Sequence, residues 1–228
     1  MLSGAMRDFP LDADGLWLSG PGGVPPGGTP RRPGAPALFL DRDGLLVEEV
    51  GYLHRPEEVR LLPGAGALLA AAGAAGWARV LVTNQSGIAR GYYGWAAFAA
   101  TQARLEALLA AEGGGLELVL GCPFHAAGRP PYDRPDHPDR KPAPGMLLKA
   151  AKVLGCDLAR SWILGDQASD LAAGRAAGLA GGIHLASGHG GRPGERQKAL
   201  AEARPDYRVL AAESLAEAAS LLGLAASA

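Results

Sequence analysis

The sequence contains little cysteine and no long apolar run. Only two of its 228 residues are cysteine, Cys122 and Cys156, which is too few for a disulfide framework and is typical of reduced thiols in a cytosolic protein. No stretch reaches the roughly 18 apolar residues of a membrane-spanning helix. The N-terminus also lacks the basic segment and apolar core of a secretion signal. We therefore expect a cytoplasmic protein with no membrane partner.

The chain is also poor in net charge and in aromatic side chains. Its formal charge is −1, and aromatic residues make up 6% of the sequence. This balance creates no field that attracts nucleic acid, and there is no basic stripe with interleaved aromatic residues on which bases could stack. We therefore expect no nucleic-acid partner. The oligomeric state stays open, with a monomer as our expectation.

Regular structure is predicted only after a segment rich in glycine and proline. Residues 19–34 read SGPGGVPPGGTPRRPG, a composition that sustains neither helix nor sheet. We predict a flexible N-terminal extension over residues 1–36, within which Met6 could be a second start. A chain of this length is short enough to fold around a single hydrophobic core. Residues 37–228 are therefore predicted to form one domain, with a proline-rich loop at 122–139.

From residue 37 onward, short apolar runs alternate with longer segments of helical spacing. The pattern predicts strands near residues 37–40, 78–82, 116–120, 161–164, 182–185 and 207–210. It predicts helices near residues 64–75, 95–112, 145–154, 170–177, 195–203 and 214–222. Such alternation indicates an α/β protein with a Rossmann-like, doubly wound parallel sheet. The connections are too short for a large cap domain, so we expect an open site.

The first predicted strand ends in two carboxylates. Ligands of open parallel sheets collect at the carboxyl ends of the strands, and Asp41 and Asp43 lie there, followed by Gly44, which allows a sharp turn. An aspartate at position 41 could attack phosphorus, and Asp43 could protonate the leaving oxygen and later deprotonate water. The competing interpretation is an aspartate-rich turn after a strand, which is common.

The segment after the second predicted strand and a basic pair further on are weaker signals. Donors for phosphoryl oxygens follow the strand at Thr83, Asn84, Gln85 and Ser86. Residues of these types more often cap a helix or make a turn. Arg140 and Lys141 could clamp phosphate groups at the start of a helix, although basic pairs are usually solvated surface.

The fourth predicted strand ends in another pair of acidic residues. Asp166 follows the strand almost directly, and Asp170 lies about one helical turn later. Asp166 could join Asp41 around a Mg²⁺ ion held by oxygen ligands. Asp170 could be a secondary ligand, but an acidic residue in the first turn of a helix is also favoured by the helix dipole.

Taken in order, these segments resemble the haloacid dehalogenase (HAD) superfamily. The resemblance is carried by LFLDRDG at 38–44, TNQSGIARG at 83–91, RKP at 140–142, and Gly165-Asp166 with Asp170. It covers about residues 37–188. The chain is most similar to the branch that contains D-glycero-D-manno-heptose 1,7-bisphosphate 7-phosphatase and histidinol-phosphate phosphatase, for which the long segment 83–91 is distinctive.

The resemblance implies a Mg²⁺-dependent phosphatase with an aspartyl-phosphate intermediate. Asp41 would be the nucleophile and Asp43 the acid and base, and the metal would be held by Asp41, Asp166 and the Asp43 carbonyl. Thr83 and Lys141 would contact the transferring phosphoryl group. The substrate would be contacted by Glu49, Tyr52, Asn84, Gln85, Ser86 and Arg140.

The substrate is less well specified than the chemistry. Arg140 and Lys141 suit a doubly phosphorylated molecule, so D-glycero-D-manno-heptose 1,7-bisphosphate or a related sugar bisphosphate is the first expectation. Histidinol phosphate is the alternative. A hypothesis of another class is a non-catalytic phosphometabolite-binding protein, against which the intact Asp41 and Asp43 argue.

One loop departs from the pattern of this branch, many members of which carry a zinc loop with Cys-x-His and then Cys-x-Cys before the Arg-Lys-Pro motif. Cys122 keeps the first place, Phe124 stands where the histidine would be, with His125 beside it, and His137 and Asp139 replace the last two cysteines. An altered Zn²⁺ site from Cys122, His125, His137 and Asp139 is one interpretation. We favour loss of zinc, because replacing thiolates by imidazole and carboxylate weakens a structural site.

Overall fold

A computed structural model describes residues 9–20 and 33–224. One sheet in these ranges contains seven strands: β1 (Trp17–Ser19), β2 (Ala37–Leu40), β3 (Ala78–Asn84), β4 (Leu118–Cys122), β5 (Trp162–Gly165), β6 (Gly181–Leu185) and β7 (Arg208–Ala212). The helices are α1 (Ala65–Ala74), α2 (Ser86–Arg90), α3 (Trp95–Ala111), α4 (Gly145–Leu154), α5 (Ala168–Ala176), α6 (Glu195–Leu200) and α7 (Leu215–Leu221). The predicted α/β alternation is confirmed.

The strand order places the predicted catalytic residues at one point of the sheet. The order is β1-β4-β3-β2-β5-β6-β7, with β1 antiparallel to β4 and the other pairs parallel. From β2 the chain moves outward to β3 and β4, and then returns to the opposite side of β2 with β5. Leu40 pairs with Leu164, so Asp41 and Asp166 follow neighbouring strand ends. Such a reversal of strand order is where open α/β sheets bind ligands.

Both faces of the sheet are covered. Every residue of β2, β4 and β6 is buried, and because successive side chains of a strand point to opposite faces, this requires packing on both sides. Helix α5 contacts β5 and β6, α4 contacts β3 and β4, and α1 contacts β3, α3 and α7. This architecture confirms the predicted Rossmann-like, doubly wound fold.

Local signals explain where the helices differ from prediction. Helix α5 begins at Ala168, two residues earlier than expected, because the side chains of Gln167 and Asp170 form a capping box at its start. Helix α4 ends where Gly155 adopts φ +64°, a conformation that favours glycine. The short helix α2 was not predicted, since five residues that include a glycine are too few to show a helical period.

No cap domain interrupts this fold over residues 33–224. The connections between the strands in that range contain only loops, the helices given above and short 3-10 turns. The prediction that no large cap domain is present is therefore confirmed. Within the described ranges, no helix is both long and apolar enough to span a membrane.

The N-terminal segment differs from the predicted boundary at residue 36. Strand β1 pairs with β4 at the edge of the sheet, so residues 9–20 belong to the folded domain. The reason is the buried Trp17, whose ring lies 5.0 Å from that of Phe98 and 5.7 Å from that of Trp95. Burial of such a large apolar surface outweighs the loop-like composition that follows it. Most of the glycine- and proline-rich stretch, residues 21–32, lies outside the described residues.

Candidate active site

A cavity of about 590 Å³ lies at the carboxyl ends of the strands. Its lining includes the following predicted residues: Asp41, Asp43, Glu49, Tyr52, Thr83, Asn84, Gln85, Ser86, Arg140, Lys141 and Asp170. It also includes residues that were not predicted: Gly51, Tyr93, Pro142, Gln167, Ser169, His189 and Arg192. Asp166 is fully buried beneath this lining. The fold therefore brings segments from five parts of the chain to one place.

Lys141 is a buried ammonium group fixed beside Asp41. Its Nζ lies 2.9 Å from Asp41 Oδ1 and 2.6 Å from Asp170 Oδ1, and it donates to the Val82 carbonyl at 2.8 Å. The Asn84 side chain holds the lysine backbone in two directions, since its amide donates to the Lys141 carbonyl and its oxygen accepts from the Lys141 amide. The cation is therefore fixed before any ligand arrives.

Asp41, Asp166 and Asp170 form a crowded carboxylate cluster, with one oxygen from each lying within 4.8 Å of the others. Burial is the main reason that the pKa of Asp41 is raised to about 7 and that of Asp166 to about 8. The neighbouring carboxylates add to this rise, and the Lys141 ammonium opposes it. The cluster carries more negative charge than its lysine neutralises.

The cluster fits a divalent cation with oxygen ligands. Asp166 Oδ2 accepts a hydrogen bond from the His189 amide at 2.7 Å, whereas the buried Oδ1 has no hydrogen-bond partner among the described residues. A buried carboxylate oxygen without a partner requires an explanation, and a hard cation such as Mg²⁺ supplies one. Asp41, Asp166 and Asp170 are the residues that would hold it.

Two glycines allow the backbone to approach Asp166 closely. Gly44 has φ +81° and Gly188 has φ +52°. A Cβ atom added at either position would lie 2.2 Å or 2.5 Å, respectively, from Asp166 Oδ2. The Ser187 hydroxyl donates to the Gly44 carbonyl and joins the two loops. The turn after Asp43 and the loop after β6 therefore enclose Asp166 from two sides.

Asp43 is held by an arginine that the sequence did not single out. Arg42 is 1% exposed, and its Nε and Nη2 donate to the two Asp43 oxygens at 3.0 Å each. Gln85 donates from Nε2 to Asp43 at 3.1 Å and to the Thr83 hydroxyl at 2.9 Å, and its own oxygen accepts from Tyr93 at 2.6 Å. This network fixes the orientation of the second aspartate and of Thr83.

The outer side of the cavity is formed by the segment that contains Glu49 and Tyr52. The Glu49 carboxylate accepts from the Gly51 amide at 2.7 Å. Tyr52 has φ 53°, a conformation that is rare for a bulky residue and that occurs preferentially at functional sites. Its ring makes an edge contact with Tyr92 at 4.7 Å. Tyr52 and Tyr93 therefore add aromatic surface to the lining of an otherwise polar cavity.

Two further cations line the cavity. Arg140 donates from Nη1 to the Phe124 carbonyl at 3.0 Å. Arg192 is exposed, and within residues 9–20 and 33–224 its guanidinium forms no ion pair. His189 and Arg192 lie four and seven residues beyond the predicted strand at 182–185, so a search of the whole loop after that strand, and not only of its first residues, would have found them.

Comparison with known proteins agrees with this site. A family model described as HAD-hydrolase-like matches residues 139–218. A protein from Mesorhizobium japonicum named D-glycero-beta-D-manno-heptose-1,7-bisphosphate 7-phosphatase is 49% identical over 174 residues, which span 76% of this chain and 77% of that protein. The chain belongs to the HAD-like phosphatases.

Two solved structures resemble this HAD phosphatase over most of their length. A HAD-like phosphatase from Mesorhizobium loti is 40% identical, with a TM-score of 0.81 and 95% of each chain covered. D,D-heptose 1,7-bisphosphate phosphatase from B. bronchiseptica, complexed with magnesium and phosphate, is 32% identical, with a TM-score of 0.67 and coverage of 82% of this chain and 97% of that one. The structural likeness therefore extends to a relative that binds both Mg²⁺ and phosphate.

The four residues considered for zinc are not assembled into a site in this phosphatase. Among the residues that the structure describes, no three of Cys122, His125, His137 and Asp139 bring ligand atoms within 4.8 Å of one another. Cys122 is fully buried at the end of β4, and burial raises the pKa of its thiol to about 12, which disfavours the thiolate that zinc requires. The altered zinc site is therefore not supported.

Other contacts hold the loop of this HAD phosphatase. The His137 ring stacks on Phe124 with 3.6 Å between centroids. Tyr132 packs against Phe124 and accepts a hydrogen bond from the Trp95 indole at 2.8 Å. Asp139 binds the Lys149 ammonium at 2.6 Å. The loop therefore has an aromatic core and a partly buried ion pair in addition to the prolines that the sequence displays.

Proposed function

We propose that this phosphatase hydrolyses the 7-phosphate of D-glycero-D-manno-heptose 1,7-bisphosphate in a Mg²⁺-dependent reaction, through an aspartyl-phosphate on Asp41. The observation that carries this proposal is the position of Lys141 Nζ, 2.9 Å from Asp41 Oδ1, on the lining of a polar cavity. A carboxylate beside a fixed cation is the arrangement that nucleophilic attack on a phosphate dianion requires.

The reaction has two steps at phosphorus. In the first, an Asp41 oxygen forms a bond to phosphorus while the bond to the sugar oxygen breaks, and Asp43 gives its proton to that oxygen. In the second, water attacks the same phosphorus, Asp43 takes the proton of the water, and the bond to Asp41 breaks. Free enzyme and inorganic phosphate are the products, and Asp43 again holds a proton for the next cycle.

The surrounding residues stabilise charge on the transferring phosphoryl group. Lys141 and the Thr83 hydroxyl line the cavity next to Asp41 and would contact the equatorial oxygens. A Mg²⁺ ion held by Asp41, Asp166 and Asp170 would supply further positive charge at the phosphoryl oxygens. Arg42 donates to both Asp43 oxygens and so fixes the orientation of the carboxyl group that transfers the proton.

Asn84 and Gln85 support this machinery in our proposal instead of binding the sugar. The Asn84 side chain uses both its donor and its acceptor on the backbone of Lys141. Gln85 is 2% exposed, and its amide binds Asp43, Thr83 and Tyr93. Both amide groups therefore act by holding catalytic residues in place.

Arg140 and Arg192 are the groups that we assign to the second phosphate and the sugar. Both line the cavity, whereas Lys141 is already engaged by two carboxylates. The cavity volume of about 590 Å³ falls in the range of roughly 300–1,000 Å³ that small-molecule sites occupy. A doubly phosphorylated sugar would use both the deep cluster and these two outer cations, and the names of the relatives agree with such a substrate.

A substrate panel tests the proposal. Phosphate release by the purified protein with Mg²⁺ would be measured for D-glycero-D-manno-heptose 1,7-bisphosphate, fructose 1,6-bisphosphate and histidinol phosphate. We expect the highest kcat/KM for the heptose bisphosphate, with loss of the C7 phosphate visible by ³¹P NMR. An equal or higher kcat/KM for histidinol phosphate would contradict the assignment, and so would binding without turnover.

A further inference from the structure

We propose that Lys149 positions Arg140 for substrate binding by linking the N-terminal segment, residues 9–19, to the loop that carries Arg140. The inference rests on the proposed function, because it assumes that Arg140 binds the substrate. Lys149 lies on α4 and does not line the cavity. It therefore acts through other residues and is a positioning residue.

One end of the link is Asp139, the neighbour of Arg140 in the chain. The Asp139 side chain is 2% exposed and its Oδ2 lies 2.6 Å from Lys149 Nζ. His137 is the other basic group beside it, at 3.7 Å, but burial lowers the pKa of this imidazole and favours its neutral form. Lys149 is therefore the cation that balances a buried carboxylate next to the substrate loop.

The other end of the link is Asp12 in the N-terminal segment. Asp12 Oδ2 lies 2.6 Å from Lys149 Nζ, while Oδ1 accepts from the amides of Asp14 and Leu16 at 2.9 and 3.0 Å. One carboxylate thus orders the turn that leads into β1 and also binds the lysine. Asp14 adds a longer contact to Lys149 at 3.4 Å. Since the ammonium contacts all three aspartates, it occupies the place that a metal ion would take.

The loop that carries Arg140 is closed at its base, and it holds the side chain of Arg140 by fewer contacts than that of Lys141. The Gly145 amide donates to the Pro138 carbonyl at 2.8 Å, so residues 138–145 form a closed loop. Lys141 in this loop is fixed by Asp41, Asp170, Val82 and Asn84. The Arg140 side chain, in contrast, has one hydrogen bond to the residues that the structure describes, to the Phe124 carbonyl. Loss of the Lys149 link should therefore displace Arg140 more than Lys141.

This difference predicts a split between the kinetic constants. In the full chain, Lys149→Met should raise KM for D-glycero-D-manno-heptose 1,7-bisphosphate about tenfold and change kcat by less than about twofold, because ground-state binding rather than the chemical step is affected. Lys149→Arg restores the charge and should recover part of the loss. Lys152→Met removes an exposed lysine of the same helix and should leave KM unchanged.

A double-mutant cycle with Arg140→Ala distinguishes positioning from general destabilisation. If Lys149 acts through Arg140, adding Lys149→Met to Arg140→Ala should raise KM no further. Two outcomes would overturn this inference and leave the proposed role of Arg140 intact. One is an equal rise in KM from Lys149→Met in the wild-type and Arg140→Ala backgrounds. The other is a KM that Lys149→Met leaves unchanged while Arg140→Ala raises it. A KM unchanged by Arg140→Ala would overturn this inference together with the proposed role of Arg140. Should Lys149→Met fail to fold, Asp139→Asn/Lys149→Met also removes the buried Asp139 charge that would be left without its lysine, and it should show the same rise in KM.

Discussion

Arg42 lies fully buried beside Asp43 and donates to both of its carboxylate oxygens at 3.0 Å. Its guanidinium also packs over the Phe98 ring at 5.3 Å and donates to the Leu53 carbonyl. Removing one partner of a buried ion pair costs about 3–5 kcal/mol, so this position is tied to folding as well as to chemistry. A test of its catalytic role must therefore keep the charge.

The substitution Arg42→Lys keeps the charge and removes the two-pronged contact with Asp43. Lysine offers one compact ammonium group and cannot reproduce the planar fork of arginine. We expect kcat to fall by about 10- to 100-fold, because Asp43 loses its orientation for proton transfer, with a smaller change in KM. Steady-state kinetics on folded protein, verified by thermal melting, would measure this. Arg55→Lys, at an exposed position, is the control, and an unchanged kcat in Arg42→Lys would contradict the role given to the pair.

Metal binding should change how stability depends on pH. In the metal-free protein the pKa of Asp166 is raised from 3.8 to about 8 and that of Asp41 to about 7. The folded state then binds more protons than the unfolded state, so the contribution of these groups to stability is full below pH 3.8 and is lost as the pH rises through about 8. Bound Mg²⁺ would hold the carboxylates ionised, so that the stability of the folded protein would no longer fall as these groups lose their protons.

The melting temperature measured from pH 5 to 8, with EDTA or with Mg²⁺, tests this expectation. The gain from Mg²⁺ should grow as the pH rises, because the metal competes with fewer protons. Asp43, Asp170 and Lys141 also face these carboxylates, so Asp166→Asn is the appropriate control and should abolish the gain. A stabilisation by Mg²⁺ that is independent of pH would contradict the raised pKa values.

Arg192 should discriminate between substrates with one and two phosphates. Arg192→Ala removes an exposed cation that lines the cavity, and we expect KM for heptose 1,7-bisphosphate to rise about 5- to 20-fold, since a charge-assisted contact is lost. KM for heptose 7-phosphate should change little. Arg204→Ala, at an exposed arginine that contacts backbone carbonyls and does not line the cavity, should affect neither. Equal rises for both substrates would remove the assignment of Arg192 to the second phosphate.

The loop at 122–139 should function without zinc. Cys122→Ala removes the buried thiol that would be the first ligand, and we expect Mg²⁺-dependent kcat to persist, because the loop is held by the Phe124 and Tyr132 contacts and by the ion pair of Asp139 with Lys149. Elemental analysis of the wild-type protein should find no stoichiometric zinc. Stoichiometric zinc that disappears in Cys122→Ala would restore the altered zinc site.

Much of the fold and of the cavity was predictable because both depend on local patterns. Short apolar runs marked the strands, and the polar residues directly after them, such as Asp41, Thr83 and Asp166, converge because parallel strands end at one edge. The unpredicted His189 and Arg192 also lie in the loop after a predicted strand, four and seven residues beyond its end. These residues needed no knowledge of long-range contacts.

The remaining features depend on contacts between distant parts of the chain. The link from Asp12 to Lys149 joins residues 137 positions apart, and no local pattern indicates it. Trp17 is part of the core because β1 pairs with β4 at the edge of the sheet. The glycine- and proline-rich composition nearby gives no indication of this pairing. The sequence alone suggests that Arg42 is a solvated charge, because only the folded structure shows that Asp43 and Gln85 bind its guanidinium in the interior.

The comparison of wild type with Asp41→Asn tests the central claim most directly. The measurement is the initial rate of phosphate release from D-glycero-D-manno-heptose 1,7-bisphosphate with Mg²⁺, for two proteins that show the same folded circular dichroism spectrum. We predict that Asp41→Asn lowers kcat by at least about 10⁴-fold, the order of loss expected when a covalent nucleophile is removed. Equal rates of phosphate release from wild type and Asp41→Asn would contradict a mechanism in which Asp41 attacks phosphorus.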